Sequence, residues 1–118
     1  MKASDLRLGN LVDFNGRTSI VDTINYDCIN EDLDLNSKMH FDYIKPIPLT
    51  EEWLLKFGYI KGKIYYTQKE CGIISFYFND LHELKCEVYD WTYENIQYVH
   101  QLQNLYFALT SEELKIKQ

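Results

Sequence analysis

The sequence predicts an α+β protein. A small β-barrel-like (SH3-like) hairpin region occupies residues 1–46, and an α-β-β-β-α unit with an antiparallel sheet occupies residues 47–118, the whole forming one compact unit. Three observations carry this. Apolar and β-branched runs joined by Asn15-Gly16 fill the first part; a capped apolar helix pattern follows Pro48; three strand-like runs then lead into an uncharged helical stretch.

In chain order, Leu6, Leu8, Leu11, Val12 and Phe14 lead to Asn15-Gly16, the pair favoured in two-residue type I′ hairpins. Thr18 to Ile24 returns as a β-branched strand. A third strand is expected around Tyr26 to Leu35 and a fourth near His40 to Ile44, enough for a small barrel or curled sheet. Asp22, Asp27, Glu31, Asp32 and Asp34 fall between Arg17 and Lys38 with no intervening base. Asp32-x-Asp34-x-Asn36 resembles the opening of a calcium loop, but Ser37 stands at the turn-glycine position and Tyr43 at the bidentate-Glu position. A solvated acidic loop is the better account, and no metal is expected.

Pro46 and Pro48 hold their preceding residues extended. Thr50 then caps a helix over Glu51 to Phe57, Leu49 is placed to staple onto Leu54, and Gly58 stops it. Strands follow at Lys63 to Gln68, Ile73 to Asn79 and Leu84 to Trp91. The middle one is apolar on nearly both faces and should lie centrally. Asn95 to Thr110 carries no charge, although a quarter of the chain (25%) is charged. On a helical period Tyr98, Val99, Leu102, Leu105, Tyr106 and Leu109 share one face, while Gln97, Gln101 and Asn104 lie opposite. Carboxamides where Lys and Glu are usual imply burial against another subunit, a sheet or a ligand. Thr110 with Glu113 forms a capping-box pattern for a last turn, before a charged tail expected to fray.

A chain of 118 residues, 46% hydrophobic and 15% aromatic, can bury a core without metal or disulfide staples. A net charge of −6 disfavours a duplex nucleic-acid partner but leaves room for a small anion held by a few local cations. Cys28, Cys71 and Cys86 form no CxxC pair and are read as reduced thiols. No run reaches membrane-spanning length, and the N-terminus lacks a signal-peptide apolar core, so a cytoplasmic protein is expected.

Nucleotide-binding loops, metalloprotease motifs and nucleophile elbows are missing from the sequence, and no cofactor or enzymatic activity is expected. Cys86 near His100 is better read as a buried thiol and a polar helix residue than as a nucleophile pair. Binding chemistry is richer. Trp91, Tyr93, Tyr65 and Tyr66 offer stacking faces, and Gln97, His100, Gln101 and Asn104 offer base-edge donors and acceptors. Lys85, Arg17, Lys61 and Lys63 are the bases placed to meet phosphate. Each residue also has an ordinary structural use.

LRLGNLV near the start, PIPLTEEWLLKFGY in the middle and YVHQLQNLYFALTSEEL near the end resemble a family of short, largely uncharacterised proteins of phages, prophages and mobile elements of gut Bacteroidetes. The family brings no catalytic motif and assigns no residue roles. The resemblance implies a phage-type accessory context, in which small proteins often act on host defences. The expectation is a homo-oligomer that sequesters a small nucleotide-like immune signal through Trp91, Tyr93, Gln97, His100, Gln101, Asn104, Lys85 and Arg17. The rival is a protein-interaction module, either an inhibitor of a host protein or an acidic nucleic-acid mimic, with the Asp22 to Asp34 stretch as its contact surface.

Overall fold

The computed structural model describes residues 6–24, 28–31, 34–40, 44–69, 71–89, 91–93 and 96–117, with the backbone alone at 22–24, 28–31, 34–40 and 91–93. Its α+β chain divides into two compact units, Met1–Pro48 with Tyr98–Asn104 and Leu49–Gln97 with Leu105–Gln118. Each has its own antiparallel sheet.

The first unit holds β1 (Leu11–Phe14), β2 (Arg17–Ile24), β3 (Cys28–Glu31), β4 (Asp34–His40) and β5 (Ile44–Lys45). Asn15 and Gly16 have φ values of 53° and 84°, the paired left-handed geometry that lets two residues reverse a right-twisted ribbon. Leu11 pairs with Ile20 and Phe14 with Arg17, as that turn requires. The strand order is β4-β3-β2-β1-β5. The expected barrel is therefore corrected to an open sheet. Its short β5 pairs only Asp13 and Phe14 of β1, and β4 pairs only β3, so no described pairing joins the two edges. The expected third strand, Tyr26 to Leu35, overlaps two antiparallel strands, β3 and β4. Leu6, Val12, Val21 and Ile44 form the core, with Phe14 packed against it.

The second unit begins with α1 (Glu51–Lys56), where the Thr50 hydroxyl accepts from the Trp53 N–H at 3.5 Å. The helix ends in a Schellman pair: Tyr59 N–H donates to Leu54 O and Gly58 N–H to Leu55 O, each at 3.0 Å. Gly58 takes φ 89°, which an L side chain resists. Leu49 and Leu54, the two staple positions, are both buried.

Strands β6 (Ile60–Lys61), β7 (Tyr66–Thr67), β8 (Ile74–Phe78), β9 (Leu84–Val88) and β10 (Trp91–Tyr93) lie in the order β10-β9-β8-β7-β6. β8 is central, as its two-sided apolar pattern predicts. Two expectations change. The run Lys63 to Gln68 pairs only at Tyr66–Thr67, because Gly62 and Tyr65 close a turn through a 2.8 Å hydrogen bond. The run Leu84 to Trp91 is two strands, with Trp91 opposite Val88 and Tyr89 at φ 57° between them. Tyrosine has no turn preference, so the sequence carries no sign of this reversal. Leu54, Phe57, Tyr59, Tyr66, Ile74, Phe76 and Cys86 make the core of this unit.

Helix α2 (Val99–Thr110) contributes Val99–Asn104 to the first unit and Leu105–Thr110 to the second. It starts later than the expected Asn95 because Tyr98 forms an antiparallel bridge with Pro48 and Val99 N–H donates to Ile47 O at 2.8 Å. Beyond Thr110 no further helical turn forms. The Thr110 hydroxyl instead donates to Tyr106 O and accepts from Glu112 N–H, and Ser111 turns out at φ 61°. The tail does not fray at this point: Leu114 is buried and Lys117 N–H donates to Lys56 O at 2.6 Å.

Candidate binding groove

The uncharged start of α2 is explained within the first unit. Gln103 is 3% exposed; its Oε1 accepts from Leu11 N–H at 2.8 Å and its Nε2 donates to Gly9 O at 3.2 Å. It thereby completes the backbone of the Leu6–Asn10 loop where β1 begins. Asn104 Oδ1 accepts from Asn10 Nδ2 at 2.8 Å and from Arg7 Nε at 3.2 Å, and Arg7 also donates to Gln103 O. Gln101 Oε1 accepts from Tyr98 N–H at 3.1 Å, the reciprocal half of a capping box with Gln at the third helical position. His100 is 5% exposed and stacks on Tyr98, with ring centroids 6.0 Å apart.

Of the expected base-reading residues, His100, Gln101 and Asn104 thus hold the fold of the first unit. Gln97, with an exposed side chain, lies in the second unit, where its carbonyl accepts from Leu49 N–H at 2.9 Å. The helix face anticipated as opposite the apolar stripe is partly inward, because the buried set is Val99, His100, Leu102, Gln103 and Tyr106, with Leu109 exposed. Gln103 was missed because a carboxamide among alternating apolar residues reads as surface. The nearby LRLGN loop, whose Gly9 and Leu11 backbone needs partners, is the signal that could have found it.

The other expected contacts are dispersed. Arg17 is exposed at the hairpin end of β2 in the first unit. Lys85 pairs with Tyr77 across β9 and β8 in the second. Trp91 and Tyr93 stand opposite Val88 and Cys86 in the ladder, their side chains lying outside what is described. The side chains of the Asp22 to Asp34 stretch lie outside it too.

A different set converges in the second unit. Lys61 ends β6, where it pairs with Tyr66, and Lys63 lies in the β6–β7 turn. At the β8–β9 turn Asn79 Oδ1 accepts from Leu81 N–H at 3.0 Å and from Glu83 N–H at 2.9 Å, a tight closure that puts His82 at φ 61°. Between these turns lies a groove of about 400 Å³ lined by Glu51, Lys61, Lys63, Tyr66, Phe78 and His82. Phe78 is 40% exposed and packs edge-on against buried Tyr66 at 5.9 Å. Burial, and then the hydrogen bond to Glu51, raise the Tyr66 phenol above its ordinary range, so it is a donor to that carboxylate. The groove therefore offers two ammonium groups, an imidazole, an aromatic edge and one carboxylate.

Among the described residues no three His, Cys, Asp or Glu side chains cluster as metal ligands, and no helix is long and apolar enough to cross a membrane. Cys71 and Cys86 are buried free thiols, and desolvation followed by the Glu87 charge pushes Cys86 up to about 12. No protein-family model, curated protein or solved structure matches the chain.

Proposed function

We propose that this is a non-enzymatic, phage-type accessory protein that sequesters a small nucleotide-like anion, an immune signal of the host cytoplasm, in the groove between the β6–β7 and β8–β9 turns. The observation that carries the reading is the convergence of Lys61, Lys63 and His82 beside Phe78 on one cavity. Its volume falls within the range of small-ligand sites. Charge-assisted hydrogen bonds from two lysines hold phosphate, and an aromatic wall holds a base. In a chain with net charge −6, such a local cationic cluster offsets the overall repulsion of an anion.

Binding here differs from the expectation built on α2, since Gln101 and Asn104 already serve their own backbone and Asn10. It also needs no second subunit, because all the lining residues lie in one unit. A nucleophilic role for Cys86 is disfavoured by its raised thiol pKa, which leaves little thiolate at neutral pH.

Native mass spectrometry on protein purified from cells tests sequestration, and reports the number of copies in the same spectrum. The expected result is a nucleotide-sized adduct, released intact on denaturation and lost in Lys61→Ala/Lys63→Ala. Titration calorimetry with a mononucleotide panel should show that pair weakening binding by about tenfold or more. Gln101→Leu, which alters only the helix cap, should leave affinity unchanged. A ligand-free species that ignores the panel would remove the proposal.

A further inference from the structure

The groove carries one feature that phosphate capture does not require. Glu51, the first residue of α1, lines it alongside the cations and Tyr66. A carboxylate in a purely anion-binding pocket repels its ligand, so its presence asks for a ligand that carries hydrogen-bond donors as well as phosphate. An ionised carboxylate has about four acceptor positions on two oxygens. Tyr66, buried and packed against Phe78, lines the groove beside it.

Resting on the reading above, we propose that the groove is selective for a guanine nucleotide, with Glu51 accepting from the base's Watson–Crick edge and Lys61 and Lys63 holding phosphate. Among the common bases only guanine presents two adjacent donors on that edge, N1–H and the 2-amino group, matching the two oxygens of one carboxylate. Adenine and cytosine place a ring-nitrogen acceptor beside their amino group, which would face the carboxylate lone pairs. Uracil presents a single N–H flanked by two carbonyls. A bidentate pair of this kind discriminates between bases by roughly tenfold or more. Phe78 supplies the apolar contact for the ring, and its 40% exposure leaves that face available.

The test is titration calorimetry of the full chain with GMP, IMP, AMP, UMP and a cyclic guanine dinucleotide, on wild type and on Glu51→Gln. GMP is expected to bind at least about tenfold more tightly than AMP or UMP. IMP, which keeps N1–H but lacks the 2-amino group, is expected between them, and this comparison needs no variant. In Glu51→Gln the GMP preference should collapse while AMP binding holds or improves, since a repelling charge is removed. A dinucleotide that outbinds GMP would place the natural ligand in that class; the reverse would place it among mononucleotides. Equal binding of all bases, or a GMP preference that survives Glu51→Gln, would overturn base selectivity and leave anion capture standing. No binding by any member would overturn both.

Discussion

Gln103 shows what a single carboxamide does when it is enclosed. Its two polar ends serve Leu11 N–H and Gly9 O, backbone groups that no strand partner satisfies. Replacing it by Leu fills the same space and strands both groups. Each buried unpaired group costs about 1–3 kcal/mol, so Gln103→Leu should lose roughly 2–4 kcal/mol, read as a lower urea midpoint. Cys86 makes a separate prediction in alkali. Its folded pKa, about 12, lies above the ordinary 9, so folding favours the neutral thiol. That contribution is complete below pH 9 and is lost as pH climbs toward 12, at roughly 1.4 kcal/mol for each pH unit. The buried Tyr59 phenol, raised by desolvation, works in the same direction at higher pH. Urea midpoints between pH 8 and pH 11 should therefore fall less steeply in Cys86→Ala than in wild type; parallel curves would assign the alkaline loss elsewhere.

The elements separate into those whose signals are local and those whose signals are not. The Asn15-Gly16 hairpin, the Thr50 cap and the Gly58 stop were legible because each is decided by backbone chemistry within a few residues. Gly58→Ala tests the last of these. At φ 89° an alanine is strained, and its Cβ would come within 2.7 Å of the flexible Lys117 side chain. A loss of about 1–2 kcal/mol or more in thermal or urea unfolding is expected, from the strained backbone and the displaced Lys117 side chain. The β9–β10 reversal and the late start of α2 were not legible. The first uses Tyr89 at φ 57°, a residue without turn preference, and the second depends on Pro48 and Ile47, distant in sequence from Tyr98 and Val99. The same non-locality hid the role of α2: its lack of charge was visible, but the loop its amides serve lies some ninety residues earlier.

At the scale of a whole unit, three stretches distant in sequence meet in the first unit. Arg7 and Asn10 of LRLGNLV, Ile47 and Pro48 of PIPLTEEWLLKFGY, and Tyr98 to Asn104 of YVHQLQN meet through hydrogen bonds and one bridge. The proposed groove uses residues whose composition is ordinary: two lysines and a histidine on turns become a cluster only once β6 to β9 are paired. Lys61, Lys63 and Tyr66 could be named as binding chemistry from sequence; Glu51, Phe78 and His82 could not, because they come from α1, β8 and the β8–β9 turn and meet only in the folded unit. Ligand affinity in such an exposed cationic site should also weaken as salt rises. The central claim is most directly tested by following backbone amide resonances while GMP is added. The account predicts shifts concentrated at Lys61–Tyr66 and Phe78–His82, with Tyr98–Asn104 unmoved. Shifts confined to Tyr98–Asn104, with the two turns silent, would contradict it and return the site to the helix.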